Sequence, residues 1–421
     1  MAHCCHAPSG TPPPAADPCQ PPTPACGAPR SAPAGAPPHA AWFDDMVEHC
    51  LVYATEAKAQ GRPIVGILCE YTPRELIMAA GGVPVCLCGG SAATIPAAEE
   101  QLPANLCPLI KSTYGYSVKG ANPFLEMADL LVAETTCDGK KKMYELLARR
   151  HPMHVLELPQ KPDDPEAFTH WVAELRKLKA ALETRFGTTI TDDRLRAAIA
   201  DMNCERRLRR ELAALMQAER PPISGRDLLD LKTLIACMPA SIDQYEAALR
   251  FFIQAAARPP APGAARPVRV LLTGVPLPHG AERVLDLIEQ HGGLVVCQEN
   301  CTGVKPILED VDPAVGDPLT AIAAKYFHLP CSVMTPNTRR LESLTELART
   351  YQAECVIEVI WQACLTYDVE SQAVRELVRD RLKLPYLRIE TDYGPSDSAR
   401  IAVRIQATFE TVRGAGGPAC R

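Results

Sequence analysis

The chain of 421 residues lacks any apolar run of the roughly 18 to 20 residues that a membrane-spanning helix needs, and it does not open with the charged-then-apolar plan of a secretory leader. A cytoplasmic protein with no membrane partner is expected. A basic stripe is missing too: Lys and Arg number 44 against 50 Asp and Glu, for a net charge of −6, so nucleic acid is not an expected partner. Neither a Gly-x4-Gly-Lys-Ser/Thr loop nor a Rossmann glycine fingerprint follows a strand, which argues against ATP or NAD binding to this chain. No Gly-x-Ser-x-Gly elbow presents a serine nucleophile, and His49, His151, His154, His170, His279, His291 and His328 read as packing or surface residues. There is no Cys-x2-Cys pair, which excludes zinc ribbons and ferredoxin-type runs.

Cysteine itself is abundant. A hydrophobic content of 47% is enough for a core in each of two domains without disulfide staples, and a reducing compartment disfavours them, yet the chain carries 18 cysteines. Some of these thiols are expected to bind metal. Residues 1–40 hold 12 of the 40 prolines among Ala, Gly and Ser, a composition that neither propagates a helix nor supplies ladder donors. They are expected to form a disordered tail, in which His3, Cys4, Cys5 and His6 have no fold to fix a metal geometry.

Beyond the tail the pattern is α/β. After a helix from Phe43 to Ala59, four short aliphatic runs predict strands at 64–68, 83–87, 130–133 and 154–158. A Leu/Ala/Arg/Glu-rich stretch from about 165 to 257 predicts several helices, and the Pro-rich segment 258–266 reads as a linker. A second set of strands is predicted at 268–272, 294–296, 355–360 and 386–389, with helices near 280–291, 318–327, 338–353 and 368–381. The expected fold class is therefore α/β, with two similar lobes, 41–257 and 267–421. Each is a short parallel sheet flanked by helices, with an extra helical region after the first. The pair Gly81-Gly82 before one second strand is matched by Gly292-Gly293 before the other, as expected of one unit used twice.

Parallel α/β sheets bind ligands beyond the carboxyl ends of their strands. Cys69, Cys107 and Cys137 fall at that edge of the first lobe, and Cys301, Cys331 and Cys364 at that edge of the second. The spacing from Cys107 to Cys137 is 30 residues and from Cys331 to Cys364 is 33, as equivalent positions of a repeat should give. Six thiols facing one cleft suit iron–sulfur chemistry, whereas one tetrahedral zinc would leave two unused. Cys50, Cys86, Cys204, Cys237, Cys297 and Cys355 sit inside strand or helix patterns and read as packing residues, while Cys88 fits either reading. Lys111, Lys140, Lys141, Lys142, Arg339 and Arg340 lie near the proposed ligands, and Asp138-Gly139 reads as a helix start. The run Lys140–Lys142 reads either as a solvated helix face or as a docking patch. Glu70, Glu134 and Glu299 are proton-relay candidates, each with a salt-bridged structural role as the competing reading.

At these positions the sequence resembles a known family. The segments Cys69-Glu70-Tyr71-Thr72-Pro73-Arg74-Glu75-Leu76, Asn105-Leu106-Cys107-Pro108-Leu109-Ile110-Lys111-Ser112, Glu134-Thr135-Thr136-Cys137-Asp138-Gly139-Lys140 and Asp392-Tyr393-Gly394 resemble the 2-hydroxyacyl-CoA dehydratase and benzoyl-CoA reductase superfamily, over about 45–412. More narrowly they resemble its double-cubane-cluster-containing anaerobic reductases. That resemblance implies a double-cubane [8Fe-9S] cluster on Cys69, Cys107, Cys137, Cys301, Cys331 and Cys364, reducing a small substrate in a homodimer. It also implies that electrons come from an ATP-hydrolysing activator protein with its own [4Fe-4S] cluster. The alternative it implies is a 2-hydroxyacyl-CoA dehydratase subunit, with one [4Fe-4S] cluster on Cys107, Cys137 and Cys364 acting through a ketyl radical. Under the first reading, Cys69, Cys301 and Cys331 would hold the second cubane.

Overall fold

A computed structural model describes residues 38–256 and 266–415, so residues 1–37 of the expected tail, with its His3–His6 group, and most of the expected linker lie outside the described residues. Eight strands form two four-stranded parallel sheets. The first contains β1 (Ile64–Ile67), β2 (Val83–Cys86), β3 (Leu130–Glu134) and β4 (Met153–Leu156) in the order β2-β1-β3-β4. The second contains β5 (Val268–Gly274), β6 (Gly293–Glu299), β7 (Cys355–Trp361) and β8 (Tyr386–Thr391) in the order β6-β5-β7-β8. The predicted α/β class and duplicated plan are what the structure has. In both sheets the central strands are buried along their whole length, which is why β1, β3, β5 and β7 read as mostly apolar runs without alternation, interrupted only by the buried Glu134, Arg269, Thr273 and Glu358.

Local chemistry explains the element boundaries. Asn122, Asp164 and Asp317 each precede a proline at the first helical position, and each side chain accepts a backbone N–H of the turn it opens. The matched glycine pairs do the same job in each half: Gly81 and Gly292 both have positive φ, +85° and +89°, where the chain leaves a helix to enter β2 or β6. One boundary differs from expectation. A helix spans Pro38–Asp44, starting inside the stretch predicted to be tail, because a proline is tolerated in a first turn.

The helical region comprises Pro165–Phe186, Asp192–Ala214, Gly225–Asp230 and Pro239–Ala256, and it lies against both sheets' helices. Helix Asp192–Ala214 packs on Arg74–Ala79 from the first half and on Pro318–Phe327 from the second. Two apolar cores result, and each draws residues from both halves: Val85, Leu131, Val270 and Ile357 share one, while Val65, Trp171, Ile322 and Phe327 share the other. The halves also meet through backbone. A Cβ added at Gly90 would sit 2.1 Å from the carbonyl oxygen of His279, so only glycine allows this approach. Across the same seam Tyr71 Oη donates to the Leu329 carbonyl at 3.1 Å and Tyr393 Oη to that of Gly89 at 3.0 Å.

Candidate metal centre

In each sheet the strand order reverses beside the first strand, between β1 and β3 and between β5 and β7, and crevices at such points face outward from the carboxyl ends. Cys69 follows β1, Cys137 follows β3, Cys301 follows β6 and Cys364 follows β7. Cys107, Cys137 and Cys364 share a further feature: each is the residue immediately before a helix, at Pro108–Lys119, Asp138–Leu147 and Leu365–Glu376. The second of these helices does begin at Asp138, where the Asp138-Gly139 pair predicts a start, and the residue in the cap position is Cys137. A helix N-terminus carries partial positive charge and favours thiolate. Backbone N–H groups of Leu109 and Ile110 face the Cys107 thiol, that of Lys140 faces Cys137 and that of Tyr367 faces Cys364.

The six cysteines fall into two groups of three. Cys107 and Cys364, from opposite halves of the chain, are in hydrogen-bonding contact, with Cys137 near enough for its charge to act on Cys107 and for that of Cys364 to act on it. That contact lowers the Cys107 thiol and, with burial, raises Cys364. Cys69, Cys301 and Cys331 form the second set of mutual neighbours, and Cys331 also acts on Cys137. Burial pushes the Cys69 thiol up to about 12 and holds Cys301 well above the ordinary thiol range. All thirteen described cysteines are free. Among the described residues no three His, Cys, Asp or Glu side chains converge as a single ion would require. Thiols drawn from both lobes instead have the donor chemistry of an iron–sulfur cluster, in which separate thiolates bind separate irons.

Cations surround the thiols. Lys140 turns away from the solvated face and donates Nζ to the Leu68 carbonyl at 2.7 Å, beside Cys69 and Cys88. It is therefore not part of a surface patch, while Lys141 and Lys142 pair locally with Asp138 at 2.8 Å and Glu145 at 2.6 Å. Lys305, buried beside Cys301, lies 3.0 Å from Glu299 and 3.1 Å from the Tyr367 hydroxyl. Against the downward pull of burial, Glu299 and then Cys301 hold its ammonium above the ordinary range. Arg340 is wholly buried among Glu299, Glu358 and Glu370. Arg339 lies at the surface, 3.7 Å from Glu309, and Lys111 is taken up by Glu99 at 2.7 Å.

The three carboxylates are not alike. Glu70 is paired with Arg74 at 3.0 Å, and Glu299 is fixed by Lys305 and Arg340. Glu134 is completely buried, takes the Thr72 hydroxyl on Oε1 and leaves Oε2 without a partner. Burial pushes its carboxyl up to about 7, against the opposing pull of Thr72 and Lys140.

A cavity of about 160 Å³ opens beside the second group of thiols, lined by Cys69 and Cys301 together with Cys86 and Cys88. The last two are more than the packing residues that the strand pattern predicts for Cys86. They lie in mutual contact on the cavity wall, with Cys86 lowered to about 6 by the hydrogen bond from Cys88. The signal is in the spacing, because residues i and i+2 of an extended strand share a face. By contrast Cys50, Cys297 and Cys355 lie in the apolar core.

Comparison with known proteins agrees with this architecture. The family model of 2-hydroxyglutaryl-CoA dehydratase, D-component, matches residues 69–412. The chain is 42% identical to the putative dehydratase subunit YjiM of Escherichia coli, over 87% of this chain and 96% of that protein. It is 24% identical to a benzoyl-CoA reductase subunit of Thauera aromatica, over 82% and 89% of the two chains. It is 22% identical to the (R)-2-hydroxyglutaryl-CoA dehydratase beta subunit of Acidaminococcus fermentans, over 84% and 94%. The chain belongs to the 2-hydroxyglutaryl-CoA dehydratase D-component family, within the 2-hydroxyacyl-CoA dehydratase and benzoyl-CoA reductase superfamily.

Proposed function

We propose that this protein is an iron–sulfur reductase that holds a double-cubane [8Fe-9S] cluster on Cys69, Cys107, Cys137, Cys301, Cys331 and Cys364 and reduces a small substrate. The observation that carries the reading is the gathering of six thiols from both halves of the chain into two neighbouring groups of three. When bound, such a cluster supplies low-potential electrons. The chain's own groups do the rest. Helix N-termini behind Cys107, Cys137 and Cys364 and the ammonium groups of Lys140 and Lys305 offset thiolate charge, and Glu134 holds a proton at its free Oε2 for delivery beside Cys69. With no phosphate loop in the sequence, the energy to load electrons comes from an ATP-hydrolysing [4Fe-4S] activator protein that docks on a cytoplasmic homodimer.

A second reading has its own support. The relatives' names include dehydratase subunits, and the three thiols at helix N-termini suffice for one [4Fe-4S] cluster in a 2-hydroxyacyl-CoA dehydratase subunit. Anaerobic reconstitution separates the two. About eight iron atoms per chain, partly lost in Cys301→Ala or Cys331→Ala, supports the reductase, whereas about four, indifferent to those changes, supports the dehydratase. Stoichiometric zinc without iron uptake refutes both.

A further inference from the structure

The cavity beside Cys69 and Cys301 is lined by more cations than the close ion pairs among the described residues account for. One wall is a single face of helix Asp192–Ala214, from which Met202, Glu205, Arg206 and Arg209 project at helical spacing. The arginines on the lining are all matched: Arg74 with Glu70 at 3.0 Å, Arg206 with Glu75 at 2.6 Å and Arg209 with Glu205 at 3.5 Å. The lysines are not. Lys140, Lys232 and Lys325 donate only to the carbonyls of Leu68, Leu277 and Pro306, at 2.7, 3.3 and 2.9 Å, and form no ion pair among the described residues. Lys140 lies against the thiols, so its charge is matched there once they are deprotonated. Lys232 and Lys325 have no such close partner: Glu282 and Asp230 act on Lys232, and Glu75 and Glu70 on Lys325, only from beyond ion-pair distance, and Lys325, 7% exposed, has its Nζ 4.9 Å from the centre of the Tyr326 ring.

An ammonium withdrawn from water without a close counter-charge is costly; it either gives up its proton or gains from an anion brought to it. Burial pulls both amines below their ordinary range, Lys325 to about 7 with the Arg206 charge adding to the pull, so an anion brought between them would be met by two amines that gain from charging. The remaining lining includes Leu68, Leu109, Met202 and Ile307, which suit a short hydrocarbon body better than a bare inorganic ion. The volume, about 160 Å³ before any cluster is placed on Cys69 and Cys301, is close to the roughly 150 Å³ of an apolar cavity that admits benzene, which is an upper bound, so an occupant beside the cluster has few heavy atoms.

We propose that this cavity binds a small organic carboxylate, its anionic end held by Lys232 and Lys325 and its hydrocarbon end directed toward Cys69 and Cys301. This inference rests on the reductase reading, for which it names the substrate class. The test uses full-length, anaerobically purified protein loaded with iron and sulfide, titrated calorimetrically with butanoate and with butanamide, its uncharged counterpart of the same shape. Butanoate is expected to bind at least tenfold more tightly than butanamide, and Lys232→Met/Lys325→Met is expected to remove that preference. Methionine keeps the length of each side chain, and unchanged circular dichroism and iron content verify the fold. Should the double variant be unstable, the comparison of acid with amide on the wild type decides. Equal affinity for acid and amide, or undiminished butanoate binding by a folded double variant, overturns the proposal. Loss of butanoate binding when iron is loaded also overturns it, since the cluster would then be the counter-ion. Iron-replete protein that reduces acetylene but ignores butanoate refutes this inference alone. Lysine-dependent butanoate binding by protein that takes up zinc and no iron refutes the reductase and leaves the carboxylate site standing.

Discussion

Replacing Arg206 with methionine removes a guanidinium from the seam on which the cavity is built while keeping most of the volume. Arg206 Nη2 lies 2.6 Å from Glu75 Oε1 and 3.1 Å from the Tyr326 hydroxyl, which itself donates to Glu75 Oε2 at 2.8 Å. Glu75 is 0% and Arg206 3% exposed, so the variant leaves a carboxylate buried without its cation. Breaking such a pair from one side costs about 3–5 kcal/mol, whereas replacing both partners is close to neutral. The wild-type Glu75 carboxyl is pushed up by burial but drawn further down by Arg206, and it ends below its ordinary range. Its contribution to stability is thus present above the unfolded carboxyl pKa and fades as pH falls through the folded one. In Arg206→Met burial is opposed only by the Tyr326 hydroxyl and a backbone N–H, the carboxyl rises, and the sign inverts: stability is lost as pH climbs above the unfolded value of about 4.3. Urea unfolding followed by circular dichroism should therefore show a deficit of about 3–5 kcal/mol at pH 7.5 that shrinks at pH 5.5. Adding Glu75→Gln should restore all but about 1.5 kcal/mol. A deficit under about 1 kcal/mol at pH 7.5, or one unchanged at pH 5.5, would refute the reasoning.

Three further outcomes are expected. Cys301→Ala or Cys331→Ala should lower bound iron from about eight to about four atoms per chain, measured with acid-labile sulfide after anaerobic reconstitution. Glu134, raised to about 7 by burial, favours the folded state fully below pH 4 and loses that contribution as pH rises toward 7. Glu134→Gln should therefore gain about 3 kcal/mol over the wild type at pH 8 in the cluster-free protein and little at pH 4.5, and lose reductase activity most where Glu134 still carries its proton. Gly90→Ala drives a Cβ to 2.1 Å from the His279 oxygen, so the halves must part; urea unfolding should show a loss of about 1–3 kcal/mol, against less than about 0.5 at exposed Gly316, where the space is open.

How much of this is legible in the chain follows from the range of the forces involved. Strand positions are readable because a central parallel strand is buried on both faces and so mostly apolar, and Ile64–Ile67, Leu130–Glu134, Val268–Gly274 and Cys355–Trp361 are short, largely aliphatic runs. The duplication is readable in the glycine pairs, since each first glycine answers a local backbone demand for positive φ. Side-chain direction is not. Lys140, Lys141 and Lys142 look equivalent in sequence, yet the helix turns about 100° per residue and carries Lys140 inward to the Leu68 carbonyl while its neighbours meet solvent. Glu70, Glu134 and Glu299 are likewise indistinguishable until their partners, 4, 62 and 41 residues away for the contacts with Arg74, Thr72 and Arg340, are in place.

The sequence by itself determined the α/β class, the twofold plan, the thiols at the strand ends and the family, because each rests on periodicity, spacing or motifs written within a few dozen residues. Only the tertiary structure decided which thiols neighbour which, that Cys86 and Cys88 share a wall with Cys69 and Cys301, and that Lys232 and Lys325 are cations without an ion-pair partner among the described residues. Those outcomes depend on how two lobes and a helical seam close on one another. Burial and pairing are sums over residues distant in the chain, so no local window holds them.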